Sequence, residues 1–362
     1  MPHVSLAELR AYLRRHPHYV RHYLRDLLRV WRARLRGAPV VVLTTENEGM
    51  GGYLWVRSYF QLFKEQCAAQ GQPCITILIG MAYWHELVEA YDLRRGGSLD
   101  IYRPFESCLA PRWVEASFFR LFRADVFVDF STTRLGHLVR ARRKALGMGF
   151  GRMGLFYEEA NNATASQVVA LPSGFRHSLP VLPIGHPRRL ARLQHPYAVL
   201  VERGNSMGSL DAQQLATLAL ALMAKGWDVF YNGDLARLAP LLPAESQQRL
   251  INGMQYPIGE YAHVVAHAAM VVTVNTLIYH MAVQLGVPTV VISSDDYLTL
   301  RPCQPRQRII YNEALQRAID EGREAAYHYG DHRAPLSSIP VQRIIAAMED
   351  LSQELTGFKP LA

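Results

Sequence analysis

The sequence is poor in cysteine and has no long apolar run. Its four cysteines, Cys67, Cys74, Cys108 and Cys303, form no Cys-x-x-Cys pair, which argues against a zinc site and a disulfide framework. We therefore expect free, buried thiols and no bound metal. No stretch reaches the roughly 18 consecutive apolar residues of a membrane-spanning helix, and the arginine-rich start lacks the continuous apolar core of a secretory signal. These absences predict a protein that stays in the cytoplasm.

Two nucleotide-binding signatures are also missing. The glycine-rich stretch at residues 49–52 does not fit Gly-x-Gly-x-x-Gly, and no Gly-Lys-Ser/Thr follows it. Neither a dinucleotide-binding fingerprint nor a P-loop is therefore supported. This disfavours dehydrogenases and P-loop ATPases.

What is present is the composition of a globular protein. The chain has 362 residues, of which 49% are apolar and 19% are charged, and its length suits two domains at roughly 100–200 residues each. The formal net charge is +8, but residues 1–36 hold nine arginines against two acidic residues, which is nearly the whole excess. A nucleic-acid enzyme usually spreads its basic residues over a binding face. We therefore expect no nucleic-acid partner.

The basic excess belongs to a helical arm. Pro17 interrupts the pattern, and residues 18–36 follow with apolar side chains and arginines on separate helical spacings. The apolar set is Val20, Leu24, Leu27, Leu28, Trp31 and Leu35, and the cationic set is Arg21, Arg25, Arg29, Arg32 and Arg36. Such a helix could contact an anionic membrane surface, which would make the protein peripheral on the inner face of the cytoplasmic membrane. The alternative is a docked surface helix with solvated arginines.

Strands that alternate with helices dominate the rest of the chain, which predicts an α/β protein with two Rossmann-like, doubly wound domains and parallel sheets. A proline-rich segment at 182–196 marks the connection between them. The expected divisions are a basic helical arm, an acceptor-side domain, a nucleotide-sugar-binding domain, and a C-terminal helix considered as a return element to the first domain. Their ranges are 1–37, 38–188, 189–338 and 339–362.

Ligands of doubly wound domains bind beyond the carboxyl ends of the strands. The first such loop follows the strand at 39–44 and contains Glu46 and Glu48, then Gly51 and Gly52. Either glutamate could take a proton from an acceptor hydroxyl, and the glycines would let a substrate approach the backbone. The alternative is a solvent-exposed loop whose acids favour the start of the next helix.

Two loops of the second domain suit a phosphate. Arg203 is followed by Asn205 and Ser206, and we expect Ser209 to cap the helix after them. Arginine and unpaired amides at a helix start are a common anion site, although a plain turn with a surface arginine is the alternative.

The other phosphate-type loop runs from Val274 to His280. Thr276 stands where a strand passes into a helix, and His280 lies four residues later on the same side. The spacing fits equally a ligand-binding histidine and a satisfied core residue. A fourth loop, at Asn232, could frame a base or a ribose.

Residues 196–312 resemble the donor-binding half of glycosyltransferase family 9, the lipopolysaccharide heptosyltransferases with the two-domain GT-B fold. The stretch AAMVVTVNTLIYHMA at 268–282 is similar to the family's strand followed by an Asp-Thr/Ser-Gly-x-x-His-x-Ala helix, and LGVPTVV at 285–291 is similar to its next strand. In that family the segment holds the diphosphate and sugar of a nucleotide-activated donor, between two domains that face each other across a cleft. The resemblance implies that role for Asn275, Thr276, Leu277 (through its backbone) and His280.

Departures from the family pattern identify a divergent member. The family's catalytic aspartate falls on Gly52, its motif aspartate is Asn275, its motif glycine is Leu277, and no lysine lies in the loop after Val201. We expect Arg203 in place of the lysine, and Glu46 or Glu48 in place of the base.

The activity that follows from the resemblance is an inverting, metal-independent glycosyl transfer without a cofactor. A nucleotide-sugar would be the donor, and a glycan or lipid-linked saccharide of the lipopolysaccharide or capsule type would be the acceptor. Two alternatives stay open. One is a nucleotide-sugar epimerase of the same fold, and the other is an inactive partner protein that binds a sugar nucleotide or glycan.

Overall fold

The computed structural model describes two compact units, Met1–Arg176 and His177–Ala362. We expected the division between residues 188 and 189; both positions lie outside the described residues, as do the helices expected at 111–122 and 134–144. The described residues are 17–44, 53–54, 60, 64–65, 67–69, 71, 73–80, 82–93, 97–104, 126–129, 154–156, 196–204, 208–293, 306–322 and 335–356.

The first unit is built on a parallel sheet, as the alternation of strands and helices predicts. Its described elements are α1 (Pro17–Leu35), β1 (Val40–Thr44), β2 (Ile75–Gly80), α2 (His85–Tyr91), β3 (Ile101–Pro104), β4 (Val126–Asp129) and β5 (Gly154–Phe156). The strand order is β3-β2-β1-β4-β5. The direction of winding reverses between β1 and β4, where Thr44 pairs with Asp129. The carboxyl ends of these two strands are therefore the place where a doubly wound sheet binds its ligand.

The two described cysteines lie in this unit and differ from the expectation of buried thiols. Cys67 and Cys74 are free, as expected, but both are only half-buried. Desolvation raises the pKa of the Cys74 thiol to about 12, and a hydrogen bond with Cys67 adds to the shift. A thiol with so high a pKa stays protonated and unreactive at neutral pH.

The second unit has a larger parallel sheet in the order β10-β9-β6-β11-β12-β13. The strands of this sheet are β6 (Tyr197–Val201), β9 (Asp228–Asn232), β10 (Leu250–Asn252), β11 (Met270–Val274), β12 (Thr289–Ser293) and β13 (Gln307–Tyr311). Two short strands, β7 (Arg203–Gly204) and β8 (Gly208–Ser209), form a separate two-stranded sheet. Its helices are α3 (Ala212–Ala224), α4 (Leu235–Leu238), α5 (Ala244–Gln247), α6 (Tyr261–Ala266), α7 (Leu277–Leu285), α8 (Glu313–Asp320) and α9 (Val341–Thr356). Strands β6, β11 and β12 are buried along their whole length, which is typical of parallel strands covered on both faces.

Helix α9 belongs to the core of the second unit. Its residues Ile344, Met348 and Leu351 are buried together with side chains of α3 and of the central strands. Arg308 of β13 donates to Asp350 of α9 at 2.7 Å and also to Glu354. The helix that we considered as a return element to the first domain therefore has its apolar face occupied within the second unit.

Candidate functional site

The winding of the second sheet reverses between β6 and β11, which lie side by side with Ala198 paired to Met270 and Leu200 to Val272. The loops that leave these strands are the two that the sequence indicated as phosphate-type loops. Strand β7, which carries Arg203, contacts β11 directly. Two segments about seventy positions apart in the chain are thus brought together at the ligand-binding edge of the sheet.

The loop after β6 is a small hairpin. Strands β7 and β8 are antiparallel, with Arg203 opposite Ser209 and Gly204 opposite Gly208. Gly208 has φ +84°, a left-handed conformation that favours glycine. The Arg203 side chain is exposed, so its guanidinium is open to a ligand. Asn205 and Ser206 stand between the two strands in sequence and lie outside the described residues.

The expected cap of the following helix is wrong. Ser209 lies in β8, and α3 begins at Ala212 with Asp211 as its N-cap. The Gln214 N–H donates to Asp211 Oδ1 at 2.7 Å, and the Asp211 N–H donates to Gln214 Oε1 at 3.2 Å. This reciprocal capping box satisfies the start of the helix internally. The loop after β6 therefore offers an anion Arg203 rather than the amides of a helix start.

The start of α7 is arranged differently. Thr276 is its N-cap, but the threonine side chain makes no capping hydrogen bond; its Oγ1 lies 3.1 Å from the hydroxyl oxygen of Thr273. Asn275, Thr276 and Leu277 are all half-buried, so this end of the helix is not sealed inside the core. A helix start of this kind, with its dipole directed at the ligand-binding edge, suits a negatively charged group.

His280 lies one turn into α7. Its ring is edge-on to Tyr279, with the ring centroids 4.9 Å apart. Desolvation lowers the pKa of the His280 imidazole to about 4. The ring is consequently neutral at pH 7 and can donate one hydrogen bond and accept another, but it brings no positive charge to the site.

This neutral histidine makes acid stability a test of its environment. The pKa of His280 is lowered from 6.5 to about 4, because burial penalises the charged ring. The contribution of the neutral ring to the free energy of unfolding is therefore complete above pH 6.5 and is lost as the pH falls through about 4. We expect the free energy of urea unfolding to fall by about 1 kcal/mol per pH unit in this window from His280 alone. In His280→Asn this part of the slope should disappear. The exposed His267 supplies the control, and an equal loss of slope in His267→Asn would contradict the assignment.

Glu202 is a buried carboxylate at the end of β6. It accepts hydrogen bonds from the Tyr231 hydroxyl at 2.7 Å, the Asp234 N–H at 2.8 Å and Arg237 Nη1 at 2.5 Å. Burial, followed by the hydrogen bond to Glu202, raises the pKa of Tyr231 well above its usual value. One side chain therefore ties the end of β6 to the end of β9 and to the start of α4. We call Glu202, Tyr231, Asp234 and Arg237 the Glu202 cluster.

The cluster also fixes Asn232, the residue expected to frame a base or ribose. Asn232 ends β9 opposite Val201, and its carbonyl accepts from the Glu202 N–H at 3.2 Å. The next residue, Gly233, passes so close to the cluster that a Cβ there would lie 2.4 Å from Glu202 Oε2. Asn232 is half-buried and stands at the same edge as Arg203. Sequence reasoning gave Glu202 no role, although a lone acid directly after the fully apolar strand YAVLV is a signal for one.

In the first unit, the expected catalytic loop starts at the reversal point. Glu46, Glu48, Gly51 and Gly52 lie outside the described residues. Their loop leaves β1, whose last residue pairs with Asp129, the last residue of β4. The sequence analysis gave Asp129 no role, but the register places this third carboxylate residue at the edge from which the loop starts.

The described part of the chain lacks two further kinds of feature. No group of three or more histidine, cysteine, aspartate or glutamate residues that could hold a metal ion occurs there. Within the same residues, no helix has the length and apolar character needed to cross a membrane.

Comparison with known proteins gives similarity in structure. No family model and no curated protein matches the sequence. Heptosyltransferase II of E. coli is 14% identical with a TM-score of 0.62, over 87% of this chain and 99% of that chain. A family 9 glycosyl transferase of Veillonella parvula DSM 2008 is 12% identical with a TM-score of 0.59, over 87% and 97%. The iron-containing heptosyltransferase TibC, solved with ADP-D-beta-D-heptose, is 12% identical with a TM-score of 0.50, over 89% and 79%.

These similarities confirm the fold class expected from the sequence. The chain has the α/β fold of the GT-B glycosyltransferases, with two Rossmann-like units. The structural similarity to heptosyltransferase II and to the family 9 glycosyl transferase covers 87% of this chain in each case.

Proposed function

We propose that this protein is a divergent family 9 glycosyltransferase that moves a sugar from a nucleoside-diphosphate donor to a saccharide or lipid-linked acceptor. One observation carries the proposal. Arg203 and the start of α7 leave adjacent strands at the reversal point of the second sheet, in a fold shared with E. coli heptosyltransferase II. This combination of an exposed guanidinium and a helix start is suited to a diphosphate.

In the proposed donor site, each group has a separate task. Arg203 pairs with phosphate oxygens, and the helix start of α7, from Asn275 to Leu277, stabilises the remaining negative charge. His280 is neutral, so it donates a hydrogen bond to the nucleotide-sugar but adds no positive charge to the site. Asn232 contacts the nucleoside. The neighbour TibC was solved with ADP-D-beta-D-heptose, which supports a nucleotide-sugar as the donor class, with either a hexose or a heptose as the sugar.

The proposed reaction is an inverting displacement. The acceptor hydroxyl attacks the anomeric carbon, its proton passes to Glu46 or Glu48, and the bond between that carbon and the diphosphate oxygen breaks. Charge accumulates on the departing diphosphate, where Arg203 and the α7 dipole stabilise it.

We assign this stabilisation to protein groups alone, without cofactor or metal. Treatment with EDTA should therefore leave the rate unchanged, whereas a lost and metal-restored rate would overturn this part.

Donor binding tests the site directly. We expect one of the ADP-, GDP-, UDP- and CMP-linked sugars to raise the melting temperature, since a saturating ligand at a hundred times its Kd adds about 2.7 kcal/mol to stability. Arg203→Ala should weaken that binding by about 10–100-fold, the worth of one or two charge-assisted hydrogen bonds. Titration calorimetry gives the Kd values.

Arg317→Ala is the matched control, because Arg317 is an exposed arginine on α8 of the same unit. Its Kd should equal that of the unchanged chain. If no nucleotide-sugar binds, or if Arg203→Ala binds as tightly as the control, the donor site is wrong. Binding without any turnover would favour an inactive partner protein, and turnover without an acceptor would favour an epimerase.

A further inference from the structure

Helix α1 lies on the first unit by one face. Its residues Asp26 and Val30 are buried, and the helix contacts β1. Arg29 Nη1 donates to the backbone carbonyl of Asp100 at 3.0 Å, just before β3. The helix is therefore held in place by apolar packing and by at least one hydrogen bond to the body of the unit.

A different face of α1 carries large apolar side chains in water. Leu28, Trp31 and Leu35 are 47%, 59% and 68% exposed. They follow one another by three and four residues, so they form one strip along the helix. We call these three residues the apolar strip of α1. The sequence pattern predicts that these three residues belong to a single apolar face. The helix instead packs against the unit through Val30, so the apolar strip is exposed to solvent. A patch that unites a tryptophan with two leucines is a mark of an interaction surface.

Arginines border the apolar strip. Arg25, Arg29, Arg32 and Arg36 are exposed and follow at steps of four, three and four residues, which places them in a row beside the strip. The acidic residue of this helix, Asp26, is buried on the docked side and lies 3.7 Å from Arg25. The outward surface of α1 is thus apolar and cationic.

The combination of the apolar strip with a row of arginines indicates the chemistry of the partner. A polyanion alone would meet the arginines but leave the apolar strip in water, and an apolar protein groove would leave the arginines unmatched. A bilayer with anionic lipids matches both, since headgroup phosphates pair with arginine and the acyl boundary takes up tryptophan and leucine. The helix packs against the first unit through Val30. Its apolar strip can therefore contact a membrane surface while the helix stays packed on the unit.

We propose that α1 docks the protein on an anionic bilayer, with Leu28, Trp31 and Leu35 at the acyl boundary and Arg25, Arg32 and Arg36 at the headgroup phosphates. The docking is independent of the sugar transfer proposed above, and it needs no membrane-spanning segment. It places the first unit against the lipid surface through the helix that precedes β1.

Vesicle co-sedimentation of the full chain tests the proposal. Vesicles of equal parts phosphatidylcholine and phosphatidylglycerol should bind the chain, and vesicles of phosphatidylcholine alone should bind it at least tenfold less, because each arginine near an anionic surface contributes about 1 kcal/mol. Trp31→Glu should lower binding to the mixed vesicles at least tenfold. Leu241→Glu is its control, since Leu241 is 44% exposed on the second unit, and it should bind as the unchanged chain does.

A second pair of variants separates the cationic contribution. The double change Arg32→Gln and Arg36→Gln should weaken binding about tenfold and reduce its dependence on salt, whereas Arg317→Gln should not. Melting temperatures of all variants confirm that the exposed substitutions leave the fold intact. Equal binding to both vesicle types, or binding that survives Trp31→Glu, overturns the proposal. So does loss of binding in the control variants, and so does a chain that binds duplex RNA equally well with and without Trp31.

Discussion

A Glu202→Leu chain should unfold with a free energy about 2–3 kcal/mol smaller than that of the unchanged chain. Leucine fills the space but accepts no hydrogen bond, so the Tyr231 hydroxyl is left without its acceptor in a fully buried place. The Asp234 N–H and Arg237 also lose their acceptor, although both belong to exposed residues that water can reach. Urea unfolding at pH 7 measures the difference. Because Glu202 adjoins Arg203, donor affinity should fall as well.

Two companion variants distinguish the buried contact from the exposed one. The Arg237 side chain is 48% exposed, so Arg237→Gln should cost about 1 kcal/mol or less. Tyr231→Phe removes the buried donor itself, and in combination with Glu202→Leu it should add little further loss, as residues in one network do. A Glu202→Leu chain as stable as the unchanged chain would show that the Glu202 cluster does not hold the two strand ends together.

The second large effect concerns catalysis. Glu48→Gln or Glu46→Gln, whichever carries the base, should lower the rate of sugar transfer by about 10²–10⁴-fold, the usual contribution of a positioned general base. Glutamine keeps the size of glutamate and one acceptor oxygen, but its amide cannot take the proton. Both residues follow β1, whose carboxyl end is the reversal point of the first sheet. Transfer is measured with the donor identified by the melting panel, and donor affinity should remain unchanged.

Asp129→Asn is the variant that can contradict this assignment. Asp129 ends β4 in register with the last residue of β1, so it is a carboxylate residue at the same edge of the sheet. If Asp129→Asn alone abolishes transfer, the base lies on β4 and both glutamates are excluded. If all three variants retain full activity, none of these carboxylates is the base.

The sequence predicted the central strands well, but not the edge strands. Strands β6, β11 and β12 are short apolar runs bounded by turn residues, and the sequence predicts them at 197–201, 270–274 and 289–293, as the structure has them. Strands β3 and β13 were missed because an edge strand need not be apolar along its length; β13 reads QRIIY, with three half-buried central residues. The adjacency of β6 and β11, which creates the candidate site, depends on strand order. No local pattern contains that information.

Local patterns also failed where two neighbours compete for one role. Ser209 and Asp211 are both good caps, and Asp211 prevails because Gln214 completes the reciprocal pair. In α1, Val30 and Trp31 are adjacent apolar residues, and periodicity cannot decide which of them turns inward. The packing against β1 decides it in favour of the smaller side chain.

Helix α9 has a consequence for the order in which this protein matures. Ile344, Met348 and Leu351 complete the hydrophobic core of the second sheet, yet they are synthesised after every strand of that sheet. The earlier unit can fold while translation continues, whereas the six-stranded sheet must wait, with part of its apolar face bare, until α9 emerges. A nascent chain stalled before Val341 should therefore attract chaperones through its second half and not through its first.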